Sequence, residues 1–213
     1  MSNNTLIEAK HDREGLSTEK VGHFFRVLSG HTRKADAYLD EFSHFDVDAL
    51  RALTKKRINH ILVDIDACIA PAYGPILPKN LEHLERLLTQ GLEIGIYSNC
   101  KGSERPRPLH EMGIGSYEGR YPKPQRQGFL EACDTFKFDP ASTWMIGENP
   151  NTDGGAIGVL EGMAFVKPVS ENPRKLSFKK RVVLPFQKAL REIAIQATVL
   201  GNSGMIRSGD LQK

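Results

Sequence analysis

Four short apolar runs recur between residues 60 and 166, and polar or turn-forming residues follow each of them. Runs of this length predict β-strands, and the longer segments between them carry apolar residues at helical spacing. Strands that alternate with helices form parallel sheets, so the pattern predicts an α/β fold of three layers, a mainly parallel central sheet between helices. The predicted strands are HILVD (60–64), LEIGIYSN (92–99), TWMIG (143–147) and MAFV (163–166).

The helical segments carry recognisable start and stop signals. Asn80 is predicted to cap LEHLERLLTQ, which Gly91 ends, and Asp46 is predicted to cap DVDALRALTKK (46–56), with Leu50 and Leu53 on one face. QGFLEACDTF (127–136) has helical spacing. The glycine-rich segment TDGGAIGVLEG (152–162) completes the alternation as a further predicted helix.

The length of 213 residues fits one globular domain with additions at both ends. We predict an N-terminal extension over 1–37, loose at its start, an α/β domain over 38–195 and a C-terminal tail over 196–213. Residues 22–57 are interpreted as a helical or irregular lead-in.

Composition argues for a reduced, cytoplasmic setting. The polar N-terminus lacks the apolar stretch of a secretory signal, and no apolar run is long enough to span a membrane. The three cysteines, Cys68, Cys100 and Cys133, show no CxxC spacing, so neither a disulfide framework nor a zinc site is indicated. The net charge of +3 does not by itself imply nucleic acid.

Chemically active side chains follow the ends of the predicted strands. Ligands of parallel sheets bind beyond the carboxyl ends of the strands, so these side chains are expected to meet at one edge. They are Asp64 and Asp66 after the first strand, Ser98 and Asn99 after the second, Glu148 and Asp153 after the third, and Lys123 in RYPKP.

These residue types fit phosphoryl transfer to a carboxylate. Asp64 is predicted as the nucleophile, and Asp66 as the acid that protonates the leaving alcohol and then activates water. Lys123 would balance negative charge, and Ser98 would donate to a phosphoryl oxygen, with Asn99 beside it in the substrate site. Oxygen ligands suit Mg²⁺. The predicted metal ligands are Asp64, Asp66, Glu148 and Asp153.

Four segments resemble, in order and spacing, the signature motifs of the haloacid dehalogenase (HAD) phosphatase superfamily. The resemblance spans roughly residues 38–195 and is similar to the capless subfamily IIIA, which includes YqeG-like proteins and phosphatidylglycerophosphate phosphatases. It implies a Rossmann-like fold, a Mg²⁺ cofactor and the roles given above to Asp64, Asp66, Ser98, Lys123 and Asp153. The segments are VDIDACIA (63–70), YSN (97–99), YPKP (121–124) and GENPNTD (147–153).

The sequence departs from the family pattern at three places. Ala67 and Cys68 replace a small residue and a threonine, and Glu148 replaces an aspartate. Pro106 and Pro108 would break or displace the helix after Ser98. The connections after Asp66 and Ser98 are too short for a cap domain, so an open site is expected, as suits a large substrate or a lid from another subunit.

A basic segment at 174–191 has two interpretations. Its charges form either the solvated face of a helix packed on the sheet or a peripheral contact with an anionic membrane. Pro185 argues against one long helix there.

Three functions stay open for the chain. They are a phosphatase acting on a phospholipid phosphate such as phosphatidylglycerophosphate, a phosphatase of soluble sugar phosphates or other small phosphomonoesters, and a HAD-fold binding or scaffold protein of low activity. An oligomer is compatible with each. Nucleic acid is disfavoured because no basic groove interleaved with aromatic residues is visible.

Overall fold

The computed structural model describes residues 18–72, 74–99, 106–169 and 178–211. Within them, seven strands form one sheet in the order β4-β3-β2-β5-β6-β1-β7, and all six strand pairs are parallel. The strands are β1 Ala37–Leu39, β2 His60–Val63, β3 Glu93–Ile96, β4 Gly115–Ser116, β5 Thr143–Gly147, β6 Gly162–Val166 and β7 Ile206–Arg207. The α-helices in these ranges are α1 Thr18–Leu28, α2 Val47–Thr54, α3 Pro78–Thr89, α4 Arg107–Glu111, α5 Arg126–Phe136 and α6 Phe178–Leu200.

The alternation of side chains along β2 explains the three layers. Ile61 and Val63 point to one face, where they join a buried cluster that includes Leu84 of α3. Leu62 points to the other face and belongs to a second cluster that includes Phe129 of α5. Both faces of a parallel sheet must be covered by helices, because neither face carries polar residues. The predicted α/β class is therefore confirmed.

Two predicted helix caps have different outcomes. Asp46 caps α2 as expected, and its Oδ1 accepts the Ala49 N–H at 2.9 Å. Leu50 is fully buried, whereas Leu53 on the same helix is 52% exposed, so only one of this predicted pair faces the core. The prediction that Asn80 caps the next helix is wrong, because α3 begins earlier, at Pro78. Asn80 lies inside the first turn, where its Nδ2 donates to the Ile69 carbonyl at 2.9 Å.

The helix predicted over residues 152–162 is also wrong. The chain makes a short 3-10 turn at Asp153–Ala156, and the residues after it are not helical. Gly158 has φ of +76°, which no α-helix accommodates. At Gly155 a Cβ atom would lie 2.4 Å from the carbonyl oxygen of Pro124, so this glycine allows a close approach of two loops. The glycines serve loop packing here, and the chain reaches β6 without a full helix.

The two ends of the described chain pack against the sheet. β1 lies between β6 and β7, with Leu39 paired to Val166 and Ala37 to Ile206. α1, inside the predicted N-terminal extension, packs against α6. The predicted tail adds the last turns of α6 and strand β7. The proposed domain limits stay predictions, but the segments outside 38–195 contribute to the same sheet and its helices.

The expectation that Pro185 prevents one long helix is wrong, because α6 runs from Phe178 to Leu200 through it. A proline inside a helix removes one main-chain hydrogen bond, and packing can hold the helix together. Here the second half of α6 buries Ala194 and Thr198. Residues 174–177 of the basic segment lie outside the described residues. None of the described helices is long and apolar enough to cross a membrane.

Candidate active site

Three acidic side chains converge at the carboxyl edge of the sheet. Asp64 follows β2, while Glu148 and Asp153 lie in the loop after β5. One oxygen of each carboxylate lies within 4.8 Å of the others, and all three residues are buried. Adjacent parallel strands end at the same level, so the pairing of β2 with β5 brings their loops together.

Asp64 is held in place by its main chain and its side chain. Its N–H donates to the Ile146 carbonyl at 2.9 Å, which extends the pairing of β2 with β5 by one residue. Its Oδ1 accepts the Ile65 N–H at 2.9 Å. The next residues form a tight turn, in which Ala67 has φ of +56° and the Ile65 carbonyl accepts the Cys68 N–H at 3.3 Å. One face of the Asp64 carboxylate is therefore fixed before any ligand binds.

Lys123 bridges two of the acids from a fully buried position. Its Nζ lies 3.0 Å from Asp64 Oδ2 and 2.5 Å from Asp153 Oδ1. Burial alone would lower the pKa of this ammonium, but the charges of Asp153 and Asp64 outweigh burial and raise the pKa above its ordinary value. Lys123 therefore stays charged and places a positive charge between the carboxylates of Asp64 and Asp153.

The main chain of Lys123 is positioned by Asn99. Asn99 Oδ1 accepts the Lys123 N–H at 2.8 Å, and Asn99 Nδ2 donates to the Lys123 carbonyl at 3.1 Å. This two-bond contact joins the loop after β3 to the loop before α5. Asn99, predicted as a substrate-binding residue, thus supports Lys123. Ser98 beside it is buried at the end of β3.

Asp153 depends on a close approach to its own strand. Its Oδ2 accepts the Asn149 N–H at 2.9 Å. A Cβ atom at Gly147 would lie 2.3 Å from Asp153 Cγ, so only glycine fits at the end of β5. Burial raises the pKa of Asp153 to about 6, although Lys123 opposes the rise.

Glu148 is the acid with an unsatisfied oxygen. Its Oε2 is buried and has no hydrogen-bond partner among the described residues, while Oε1 lies 3.7 Å from a guanidinium nitrogen of Arg191 in α6. Burial, with the charges of Asp153 and Asp64, raises its pKa well above the ordinary value. A buried oxygen without a donor is unfavourable unless a ligand completes it.

The donor set fits a hard divalent cation. Asp64, Glu148 and Asp153 offer only oxygen atoms, the ligands that Mg²⁺ prefers. A cation bound there would satisfy Glu148 Oε2 and offset the repulsion between the carboxylates. Asp66, predicted as a fourth metal ligand, lies outside this group of three acids, and its role stays a prediction.

Sequence reasoning missed two residues that touch the loop after β5. His23 of α1 contacts Pro150, and Arg191 of α6 faces Glu148. Arg191 lies in the basic segment at 174–191, for which the sequence suggests a solvated helix face or a lipid contact, and no pattern in the sequence assigns His23 to the site. The two cysteines within the described residues, Cys68 and Cys133, are both buried. Burial raises the pKa of both thiols.

Comparison with known proteins identifies a family whose model matches most of the chain. A model of haloacid dehalogenase-like hydrolases matches residues 4–158 of the chain. No protein of curated function matches this chain.

Solved structures resemble the fold at low identity. A 3-deoxy-D-manno-octulosonate 8-phosphate phosphatase from Yersinia pestis is 15% identical, with 75% of this chain and 89% of that chain covered and a TM-score of 0.44. The cobalt-bound deoxy-D-mannose-octulosonate 8-phosphate phosphatase from Haemophilus influenzae is 13% identical, with 67% and 90% covered and a TM-score of 0.45. An uncharacterized protein from Listeria monocytogenes serotype 4b is 17% identical, with 62% and 99% covered and a TM-score of 0.43.

Proposed function

The chain belongs to the haloacid dehalogenase-like hydrolase family, and on that premise we propose that it hydrolyses phosphomonoesters through a phosphorylated Asp64. The observation that carries the proposal is the buried ammonium of Lys123 between Asp64 and Asp153. A carboxylate that attacks a phosphoryl group needs a nearby positive charge to offset the repulsion between anions, and the Nζ of Lys123 lies 3.0 Å from Asp64 Oδ2.

In the first step, an oxygen of Asp64 forms a bond to phosphorus and the bond from phosphorus to the ester oxygen breaks. Asp66 gives its proton to the departing alkoxide. In the second step, water attacks the phosphorus of the aspartyl phosphate, its proton goes to Asp66, and the bond to Asp64 breaks. Inorganic phosphate leaves, and both side chains regain their starting states.

Charge compensation is divided between the chain and a cation. Mg²⁺ held by Asp64, Glu148 and Asp153 would reduce the repulsion between the carboxylate and the phosphoryl dianion. Lys123 neutralises Asp64 before attack, and the hydroxyl of Ser98 is proposed to donate to a phosphoryl oxygen.

The experiment that tests this reaction is phosphate release from a panel of phosphomonoesters with Mg²⁺, with Asp64→Asn as the blank. We expect the wild type to hydrolyse at least one ester that the Asp64→Asn variant does not hydrolyse. Beryllofluoride should form an adduct on the wild-type protein only. A wild type that neither forms the beryllofluoride adduct nor releases phosphate would instead support a binding role.

For the substrate class, we propose a phosphate on a lipid headgroup, such as phosphatidylglycerophosphate. Support comes from α6, which exposes Phe186 by 54% and Ile193 by 49%, both on one face of the helix. The exposed cation Lys188 lies between them in the sequence. A helix with exposed apolar residues and basic residues suits an anionic membrane surface, and the same helix brings Arg191 to Glu148.

Vesicles distinguish this substrate class from a soluble one. We expect the protein to sediment with anionic phosphatidylglycerol vesicles, and to hydrolyse a lipid phosphate in them faster than glycerol phosphate. The double variant Phe186→Ser with Ile193→Ser should lose the sedimentation and keep hydrolysis of the soluble ester. Faster turnover of a soluble sugar phosphate without sedimentation would assign the enzyme to small substrates.

A further inference from the structure

Helix α1 contacts the loop that carries two of the three acids. His23 is fully buried, and its Nε2 lies 3.0 Å from the carbonyl oxygen of Pro150. A carbonyl only accepts hydrogen bonds, so Nε2 must carry the hydrogen. Pro150 stands between Glu148 and Asp153, and its carbonyl is thus fixed from outside the sheet.

A second contact presses the same helix region against this loop. A Cβ atom at Gly154 would lie 2.7 Å from Thr32 Cγ2 and 3.4 Å from His23 Nε2. The residue next to Asp153 therefore lies directly beneath α1 and the turn that follows it. Only a glycine allows this approach without a shift of the neighbouring side chains.

Helix α6 contacts both the turn after α1 and the loop after β5. The hydroxyls of Thr32 and Thr198 are 2.6 Å apart in a buried hydrogen bond, which ties the turn after α1 to α6. Asn151 Nδ2 donates to the Leu190 carbonyl of α6 at 3.3 Å. The loop after β5 is thus held by hydrogen bonds to two helices that are far from it in the sequence.

We propose that His23 is a positioning residue for the divalent-cation site, because it fixes the main chain at Pro150 so that Glu148 and Asp153 converge on Asp64. The identity of the cation rests on the proposed function. The contact between His23 and Pro150 is independent of that function, because it is observed directly in the structure. Burial lowers the pKa of His23 to about 4, so the ring is neutral near pH 7 and the Nε2 hydrogen remains available.

His83 provides a matched control. It is also buried, burial also lowers its pKa to about 4, and its Nε2 lies 3.1 Å from a main-chain carbonyl, that of Phe45. Phe45 precedes α2 and carries no acid of the site. A purely structural role for both histidines therefore predicts equal effects of equal substitutions.

The test compares His23→Gln and His23→Leu with His83→Gln and His83→Leu in the full chain. The readouts are the Mg²⁺ concentration for half-maximal phosphate release, the KM for the ester at saturating Mg²⁺, and amide exchange at residue 149 and residues 151–153, which flank Pro150. We expect His23→Leu to raise the Mg²⁺ requirement about tenfold, as loss of a supporting partner does at metal sites. The KM should change less than about twofold, and exchange in the loop should accelerate.

Rescue by a conservative side chain makes the test specific. The amide nitrogen of glutamine can occupy the place of the ring Nε2, so His23→Gln should keep the Mg²⁺ requirement within about twofold of wild type. Both His83 variants should do the same. If His23→Leu does not fold, His23→Asn replaces it, because its shorter amide does not reach Pro150.

Several outcomes would overturn the inference. One is equal thermal destabilisation by His23→Leu and His83→Leu with no change in the Mg²⁺ requirement of either. Another is an identical Mg²⁺ requirement for His23→Gln and His23→Asn. If the wild type needs no divalent cation, the proposed function fails, and amide exchange alone decides whether His23 holds the loop.

Discussion

The inner and outer halves of the sheet contribute to the candidate site in different ways. The inner half, β3, β2 and β5, ends in the loops that carry the proposed reacting groups Asp64, Ser98 and Asp153. The outer half, β6, β1 and β7 with α1 and α6, contributes His23 and Arg191, which contact the loop after β5. The inner half supplies the proposed reacting groups, and the outer half contacts the loop that carries Asp153.

The two kinds of residue also differ in how the sequence records them. Asp64 and Asp66 stand directly after an apolar run, so their place at a strand end is visible from their neighbours. The bond from His23 to Pro150 joins residues 127 positions apart. Reacting groups are therefore found by local pattern, and supporting groups are found only after folding.

The largest effect is expected from Asp64, the proposed nucleophile in the inner half. Asp64→Asn should lower phosphate release at least about a thousandfold, because the amide cannot attack phosphorus. The measurement is phosphate release at saturating Mg²⁺, with circular dichroism as the control for folding. Activity within tenfold of wild type would remove Asp64 from the mechanism.

Loss of the buried cation should affect stability as well as activity. Lys123→Met leaves Asp64 and Asp153 buried without their counter-charge, which should lower the free energy of unfolding by about 3–5 kcal/mol. Urea unfolding without metal measures this loss. Addition of Mg²⁺ should recover part of it, because the cation neutralises the same carboxylates.

Two buried neutral histidines, His23 in α1 and His83 in α3, should make the fold sensitive to acid. Burial lowers the pKa of His23 and His83 from 6.5 to about 4. Between these pH values the unfolded chain binds more protons, so their stabilisation is complete above pH 6.5 and is lost as the pH falls towards 4. Each histidine should lower the free energy of unfolding by about 2 kcal/mol when the pH falls from 7 to 5.

Urea unfolding of His23→Gln and His83→Gln at the two pH values measures these contributions separately. Each variant should lose about 2 kcal/mol less than the wild type on acidification. An unchanged pH dependence in the double variant would show that neither histidine is responsible.

A smaller effect is expected where the outer half touches the loop. Gly154→Ala should destabilise the fold by about 1.5 kcal/mol, because its Cβ would lie 2.7 Å from Thr32 Cγ2. Thr32→Ser removes that methyl group and keeps the hydroxyl, so the double variant should recover part of the loss. Gly22→Ala in α1 is the control, since among the described residues no atom outside its chain neighbours and the nearby backbone of α1 lies within 4 Å of its Cβ position. Thermal unfolding of the wild type, Gly154→Ala, the double variant and Gly22→Ala measures these differences in stability.

The smallest effect is expected from an ion pair on the surface. Lys79 Nζ lies 2.6 Å from Glu41 Oε2, close to the separation of Lys123 and Asp153, but both side chains are about half exposed. Lys79→Ala should change the free energy of unfolding by less than about 0.5 kcal/mol. A loss comparable with that of Lys123→Met would mean that burial does not set the strength of these pairs.

Local sequence signals predicted the secondary structure unevenly. The strands around Asp64 and at 143–147 and the helix at 127–136 are present, because their apolar spacing suits burial on one or both faces. The predicted helix at 152–162 failed because its glycines serve close contacts with Pro124 and Thr32, which lie elsewhere in the chain. Asn80 likewise bonds to Ile69 and does not cap its helix.

The sequence by itself determined the α/β class, the positions of its central strands along the chain and the identity of the proposed reacting groups. Each of these features depends on residues that are close together in the sequence, where the spacing of apolar residues indicates the strands and their ends. Only the tertiary structure decided that Lys123 lies between Asp64 and Asp153, that Asn99 supports it, and that α1 and α6 hold the loop after β5. These contacts join distant segments, and their strength comes from burial, which no local pattern records.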